Sequence, residues 1–250
     1  MKLIILAAGY ATRLYPLTRE QPKHLLDVAG RPVLEHVLDR LAPIDEIDGS
    51  YLVTNAKFAG RFREWAAAYR GPLGPEVVDD GTTSEDDRLG AIGDLGLVLR
   101  EASLDDDVIV AAGDNLFTDS LKGFGETAGE RQAPLLAVYD VGDLDAIRKY
   151  NAIEIDGDRR ITYFEEKPQS PRSTLTGIAL YFYPRGCLPL VHEYLEAGNN
   201  PDQPGRLVEW LYPRRAVYVW DVPGEWVDIG SPETLAEADR LFSARAGSPR

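Results

Sequence analysis

The residues with the most chemical potential lie in one early stretch, Leu6-Ala7-Ala8-Gly9-Tyr10-Ala11-Thr12-Arg13-Leu14, followed by Pro22-Lys23. Small side chains at Ala7, Ala8 and Gly9 let backbone N–H groups approach an anion closely. Arg13 offers a planar fork to phosphate oxygens, and Lys23 adds a compact charge. The G-x-G-x-x-G spacing of a dinucleotide fingerprint is absent, since a proline-containing loop rather than a helix follows Gly9. A G-x-x-x-x-G-K-[ST] loop is absent as well.

Two acidic motifs stand far downstream, Ala111-Ala112-Gly113-Asp114-Asn115 and Glu225-Trp226-Val227-Asp228-Ile229-Gly230. Either aspartate alone reads as a turn residue. Taken with the first loop, they suit magnesium, which favours one or two carboxylates plus phosphate oxygens and water. A third motif, Phe164-Glu165-Glu166-Lys167-Pro168, reads by itself either as a surface Glu-Lys pair or as a second phosphate anchor in Lys167 with a hydroxyl acceptor in Glu166. Asp105-Asp106-Asp107 reads as a solvated turn. The hydroxyls of Thr82, Thr83 and Ser84 either read a base edge or satisfy turn backbone.

These motifs need a scaffold that brings them to one edge. An apolar, β-branched run at 2–7 predicts a strand buried on both faces. Helical spacing comes next at 32–41, with Pro32 suited to the first turn. Strands at 50–53, 76–78, 107–112 and 135–139 alternate with helices at 57–69, 89–102 and 121–129. After residue 140 come a hairpin at 152–155 and 161–165, strands at 176–183 and 216–222, and a helix at 188–197. Ser231-Pro232-Glu233 opens a last helix running to about Phe242. The expected fold is α/β, a Rossmann-like three-layer sandwich with a mostly parallel mixed central sheet and a smaller β elaboration on the acceptor side. The chain divides as one domain over 1–242, a nucleotide-binding part at 1–140 and an acceptor-binding part at 141–242, with a frayed tail at 243–250.

A net charge of −14 argues against a nucleic-acid partner, whose recognition needs a basic surface. It also requires any phosphate site to concentrate its few cations. No apolar run reaches the length of a membrane span, and the single Cys187 fits a reducing, cytoplasmic setting. Assembly as a homo-oligomer stays open.

The segment Leu6 to Leu14, with Pro16-Leu17-Thr18, Pro22-Lys23 and Leu25-Leu26, resembles the signature loop of sugar-1-phosphate nucleotidyltransferases, among them bacterial glucose-1-phosphate thymidylyl- and uridylyltransferases. Ala11 departs from the usual glycine and should limit positive φ. The resemblance implies an enzyme that joins a nucleoside triphosphate, dTTP or UTP, to a small phosphorylated acceptor, a sugar 1-phosphate, with Mg2+ as cofactor. It assigns catalysis to Arg13 and Lys23, and the metal to Asp114 and Asp228. Nucleotide contacts fall on Leu6, Ala7, Ala8 and Gly9, with Asp80, Gly81, Thr82, Thr83 and Gly90 in the base-reading segment, where the family's Gln is missing. Acceptor contacts fall on Asn151, Glu166, Lys167 and Gly177. Asn151 stands where thymidylyltransferases commonly carry Gly. It leaves room for a cytidylyltransferase acting on choline phosphate, a phosphonate or a cyclitol phosphate. A non-catalytic regulatory module is disfavoured, because Arg13, Lys23, Asp114, Lys167 and Asp228 are all present.

Overall fold

The computed structural model describes residues 1–246. β1 (Lys2–Leu6) is an unbroken aliphatic run whose Leu3, Ile4 and Ile5 are fully buried. A strand without polar alternation needs cover on both faces, which an interior place in a parallel sheet provides. A long loop then leads to β2 (Asp27–Val28) and β3 (Arg31–Pro32), a tight antiparallel ribbon. α1 (Val33–Leu41) buries Val33, Leu34, Val37, Leu38 and Leu41 along one face. β4 (Gly49–Thr54) and α2 (Ala56–Ala68) come after it, the helix capped by Asn55, whose side chain accepts the N–H of Phe58 at 3.1 Å. Next come β5 (Glu76–Asp79), α3 (Ala91–Glu101), β6 (Val108–Ala112), β7 (Asn115–Phe117) and α4 (Lys122–Arg131).

The second half contains β8 (Leu135–Asp140), the short α5 (Leu144–Ile147), β9 (Asn151–Ile155), β10 (Ile161–Glu166) and β11 (Leu175–Tyr183). It closes with α6 (Leu188–Glu196), α7 (Gly205–Leu211), β12 (Tyr218–Asp221), β13 (Trp226–Asp228) and α8 (Pro232–Ala246). Seven strands form the central sheet in the order β12-β8-β11-β6-β1-β4-β5. All neighbours pair parallel except β11, which runs antiparallel to both β6 and β8. One face packs against α1, α2, α4 and α8, the other against α3, α6 and α7. This is the expected mixed α/β sandwich. The hairpin β9–β10 stands apart from the sheet as its β elaboration.

Several local expectations change. Pro32 is the residue before α1, with ψ 137, because it still pairs in β3. The last helix continues past Phe242 to Ala246, so the tail begins later than its polar sequence suggested, and 247–250 lie outside the described residues. The ribbons β2–β3 and β7–β13 and the short helices α5 and α7 carry too few residues for a sequence period to register.

The ribbon β7–β13 is the part of this scaffold that spaces the downstream acidic motifs. Its antiparallel register sets Asp228 opposite Asn115 and Trp226 opposite Phe117. Phe117 is fully buried in the core beneath it. Phe117→Ala should lower unfolding free energy by about 3–5 kcal/mol, measured as a fall in the urea midpoint with the slope unchanged.

Candidate active site

The carboxyl ends of the central strands open onto a cleft of about 430 Å³, joined to a second chamber of about 400 Å³. Gly9, Arg13, Lys23, Asp114 and Asp228 line both. Strand order explains the convergence. The ends of β1 and β6 are neighbours, with Leu6 level with Ala112, so the loop after β1 and the Asp114 turn emerge side by side. Asp228 arrives on β13, which pairs with β7 directly after Asp114. The Ile229 N–H donates to the Asp114 carbonyl at 3.1 Å and ties the two turns together.

The loop that follows β1 is held from behind. Ala7 N–H donates to the Val53 carbonyl at 2.9 Å, and the Asn55 amide donates to the Ala8 carbonyl at 2.8 Å. A side chain at Gly9 would meet no protein atom, so the space above it is open to a ligand. Ala11 adopts φ 50 despite its methyl group, correcting the expectation that alanine limits positive φ here. The Thr18 hydroxyl donates to its carbonyl at 2.8 Å and fixes that turn. Left-handed geometry at a non-glycine residue costs roughly 1–2 kcal/mol, and Ala11, two residues before Arg13, retains it.

Lys23 donates to Asp114 Oδ2, and at 3.5 Å to the Ile229 carbonyl. Asn115 Nδ2 donates to Asp114 Oδ1 at 3.1 Å and to Asp228 Oδ1 at 3.4 Å. Trp226 Nε1 donates to Asn115 Oδ1 at 2.7 Å, which fixes the orientation of that amide. Burial disfavours the charged form of Asp114, but Lys23 and the other donors outweigh it and hold its carboxyl below the ordinary range. Asp228 shows the opposite balance. Burial and then the Asp114 charge push it up to about 6, against the pull of Lys23 and Arg13. His24, buried beneath the turn, is pushed down to about 3 by desolvation and stays neutral.

The acceptor-side expectations fall on the far wall. Glu166 lines the cleft, and its burial, partly offset by Lys167, pushes it up to about 7. A methyl group at Gly205 would lie 2.2 Å from Glu166 Oε2, so a larger residue there would displace that carboxylate. Lys167 lines the second chamber, with φ 52 and its N–H donating to the Tyr150 carbonyl at 2.7 Å. Asn151 lines the cleft, yet its amide is spent on β11: Nδ2 donates to the Gly177 carbonyl at 3.0 Å, and Oδ1 accepts the Gly177 N–H at 2.6 Å. It therefore shapes the wall with its atoms turned inward.

On the opposite side Leu6, Ala8 and Gly90 line the cleft, while Ala7 is buried beneath it. Gly90 has φ +79, and a methyl group there would lie 2.7 Å from the Pro201 carbonyl. Asp80, Gly81, Thr82 and Thr83 line neither chamber. The Thr82 hydroxyl meets Tyr10 at 3.1 Å, and the hydroxyls of Thr83 and Ser84 donate to Asp87 at 3.0 and 3.1 Å. These hydroxyls thus engage the side chains of Tyr10 and Asp87 rather than turn backbone. Arg88, Asp94, Tyr150 and Gln203 line the cleft without having been expected there. Arg88 and Asp94 flank the Gly90 helix start, the one signal that could have drawn attention to them.

Fold and cleft together define an α/β domain built to hold anionic ligands at the ends of parallel strands. The chain belongs to the nucleotidyl transferase family, whose model matches residues 2–244. It is 28% identical to a glucose-1-phosphate thymidylyltransferase of Streptomyces antibioticus, covering 96% of this chain and 65% of that one. It is 26% identical to the UTP–glucose-1-phosphate uridylyltransferase AglF of Haloferax volcanii, covering 96% of each. A 25% identical relative, the bifunctional protein GlmU of Methanocaldococcus jannaschii, is nearly twice as long, with 54% of it spanned. A UDP-glucose pyrophosphorylase solved with UDP-glucose shares the fold at TM-score 0.83 and 18% identity, over 98% of both chains.

The elevated Asp228 has a measurable consequence. Its ordinary value of 3.8 applies to the unfolded chain and about 6 to the folded one, so the folded state holds the proton more tightly. The group therefore favours folding below about pH 4, and that contribution is lost as pH rises through about 6. Without divalent ions, Asp228→Asn should be more stable than the parent at pH 7 by about 2–3 kcal/mol. Urea titrations at pH 4 and pH 7 test this, with the difference expected to close at the lower pH.

Proposed function

We propose that this protein transfers a nucleotidyl group from dTTP or UTP to a sugar 1-phosphate, releasing pyrophosphate. The supporting observation is the meeting of Arg13, Lys23, Asp114 and Asp228 on the wall common to both chambers. Two phosphate-bearing reactants must be brought together here, by a chain of net charge −14. The chambers carry Arg13, Lys23, Arg88, Lys149 and Lys167 against a similar number of acidic residues, so protein cations alone do not balance the reactants.

Asp114 and Asp228 fit a magnesium ion. Among the described residues no group of three metal-ligating side chains exists, which suits an ion completing its shell with phosphate oxygens and water. Burial and then the Asp114 charge raise Asp228, and both are what a divalent cation would offset. When bound, the ion would neutralise charge on the triphosphate.

In the proposed reaction an acceptor phosphate oxygen attacks the α-phosphorus. The new P–O bond forms as the bond to the β-phosphate oxygen breaks, and its electrons leave with pyrophosphate. The attacking monoester is already ionised at neutral pH, so no residue need remove a proton. Arg13 and the open backbone at Gly9 would hold the triphosphate, and Lys167 the acceptor phosphate. Lys23, the most enclosed of these cations, would sit where charge accumulates. Holding two reactants in line supplies up to about 7–11 kcal/mol in favourable intramolecular cases. Glu166 would accept hydroxyl donors of the acceptor.

A grid of triphosphates against phosphorylated acceptors, scored by pyrophosphate release with and without magnesium, tests the reading. Lys23→Ala should lower turnover by about 100-fold or more with an unchanged circular dichroism spectrum, as for the loss of one electrostatic donor. Near-normal turnover would remove Lys23 from the reaction.

A further inference from the structure

The proposed reaction makes no use of one polar group in the cleft wall. Asp94, in the first turn of α3, lines the cleft near Leu6, Ala8 and Gly90, yet is only 5% exposed. Its Oδ1 has no hydrogen-bond donor. Neither has Oδ2 of Asp80, the carboxyl that meets Asp94 from just beyond β5. Asp80 is anchored by its other oxygen, Oδ1, which accepts the Thr82 N–H at 2.7 Å.

Two desolvated carboxylates cannot face one another fully ionised, and a single proton shared between them satisfies both. Burial, together with the Asp80 charge, pushes Asp94 up to about 8, and burial raises Asp80 as well. The shared proton is committed to the contact with Asp80. What Asp94 offers the cleft is therefore an uncharged oxygen that accepts a hydrogen bond. A helix-capping role does not explain it, since neither oxygen receives a backbone N–H of α3.

The position of Asp94 indicates what would meet it. The sheet order sets β1, β4 and β5 on one side of the Asp114 turn and β11 and β8 on the other. Glu166, Asn151 and Gly177 belong to the latter side, whereas Asp94 and Gly90 belong to the former. In the proposed transfer the acceptor takes the Glu166 side, which leaves the α3 side of the cleft for the nucleoside of a triphosphate held at Arg13 and Lys23.

We propose that Asp94 reads the base of the bound nucleotide, accepting the N3–H of a uracil or thymine ring. That N–H lies between two ring carbonyls, which a carboxylate would repel and an uncharged oxygen tolerates. Cytosine carries a lone pair at N3 and would set acceptor against acceptor. Guanine, with adjacent N1–H and amino donors, is better matched by an ionised carboxylate than by this one.

The inference rests on the nucleotidyl-transfer reading, and the test separates the two. Calorimetric titration of the full chain with UTP, dTTP, CTP and GTP, in magnesium, gives the base preference. Inorganic pyrophosphate, which has no base, reports the phosphate site alone. The parent should favour UTP or dTTP over CTP by about tenfold or more. Asp94→Ala should reduce that ratio to within about threefold while pyrophosphate affinity is unchanged. Asp94→Asn, whose carbonyl can take the same N–H, should keep the preference, and Asp94→Ser replaces the alanine variant if that one does not fold. A parent preference for CTP or GTP, or an undiminished ratio in the alanine or serine variant, overturns the role of Asp94. A folded parent that binds no triphosphate overturns the transfer reading itself, and this inference with it.

Discussion

Asp114 and Asp228 repel each other on the wall of the cleft, and the surrounding architecture holds them there against that repulsion. The ribbon β7–β13 fixes their spacing through backbone hydrogen bonds, which do not respond to charge. Asn115 bridges the two carboxylates, Trp226 orients Asn115, and Lys23 compensates one member of the pair more than the other. The result is an unequal pair, one carboxylate held below the ordinary range and its neighbour raised above it. An arrangement of this kind stores unfavourable electrostatics in the resting protein and releases them when counter-charge arrives.

The same logic explains how an acidic chain can receive anions. Five of its cations, Arg13, Lys23, Arg88, Lys149 and Lys167, line the two chambers, and some are anchored by what lies behind them. Ala11 in left-handed geometry sets the turn into Arg13, and Lys167 is itself left-handed and pinned through Tyr150. Both loops thus hold strained backbone beside a cation, where accurate placement outweighs a small conformational cost. The far wall is shaped differently, by close packing. Asn151 is locked onto Gly177, and Gly205 leaves the Glu166 carboxylate its place.

Much of this was legible in the residues. The aliphatic run of β1, the alternation of strands and helices, and the small-residue loop with its cations each reflect local chemistry that a sequence displays directly. The pairing of β7 with β13 was not legible, because strands of three residues show no period and their partners are over a hundred positions apart. Side-chain direction was equally hidden. Thr83 and Ser84 carry hydroxyls suited to a ligand, and only the fold reveals that Asp87 takes them. Asp94 looks like an ordinary acid in a helix's first turn, a favourable place for negative charge. Its buried encounter with Asp80 depends on how β5 meets α3.

The bridging ribbon also constrains how the molecule comes together. Six of the seven strands of the sheet can associate without any residue beyond Tyr183, so the scaffold around the loop after β1 does not depend on the last segment. The carboxylate pair does, because β13 supplies its second member and has no counterpart earlier in the chain. A polypeptide emerging from the ribosome would thus own a nearly finished sheet before it owned the Asp114–Asp228 pair. That juxtaposition arrives abruptly, with β13, rather than growing in step with compaction.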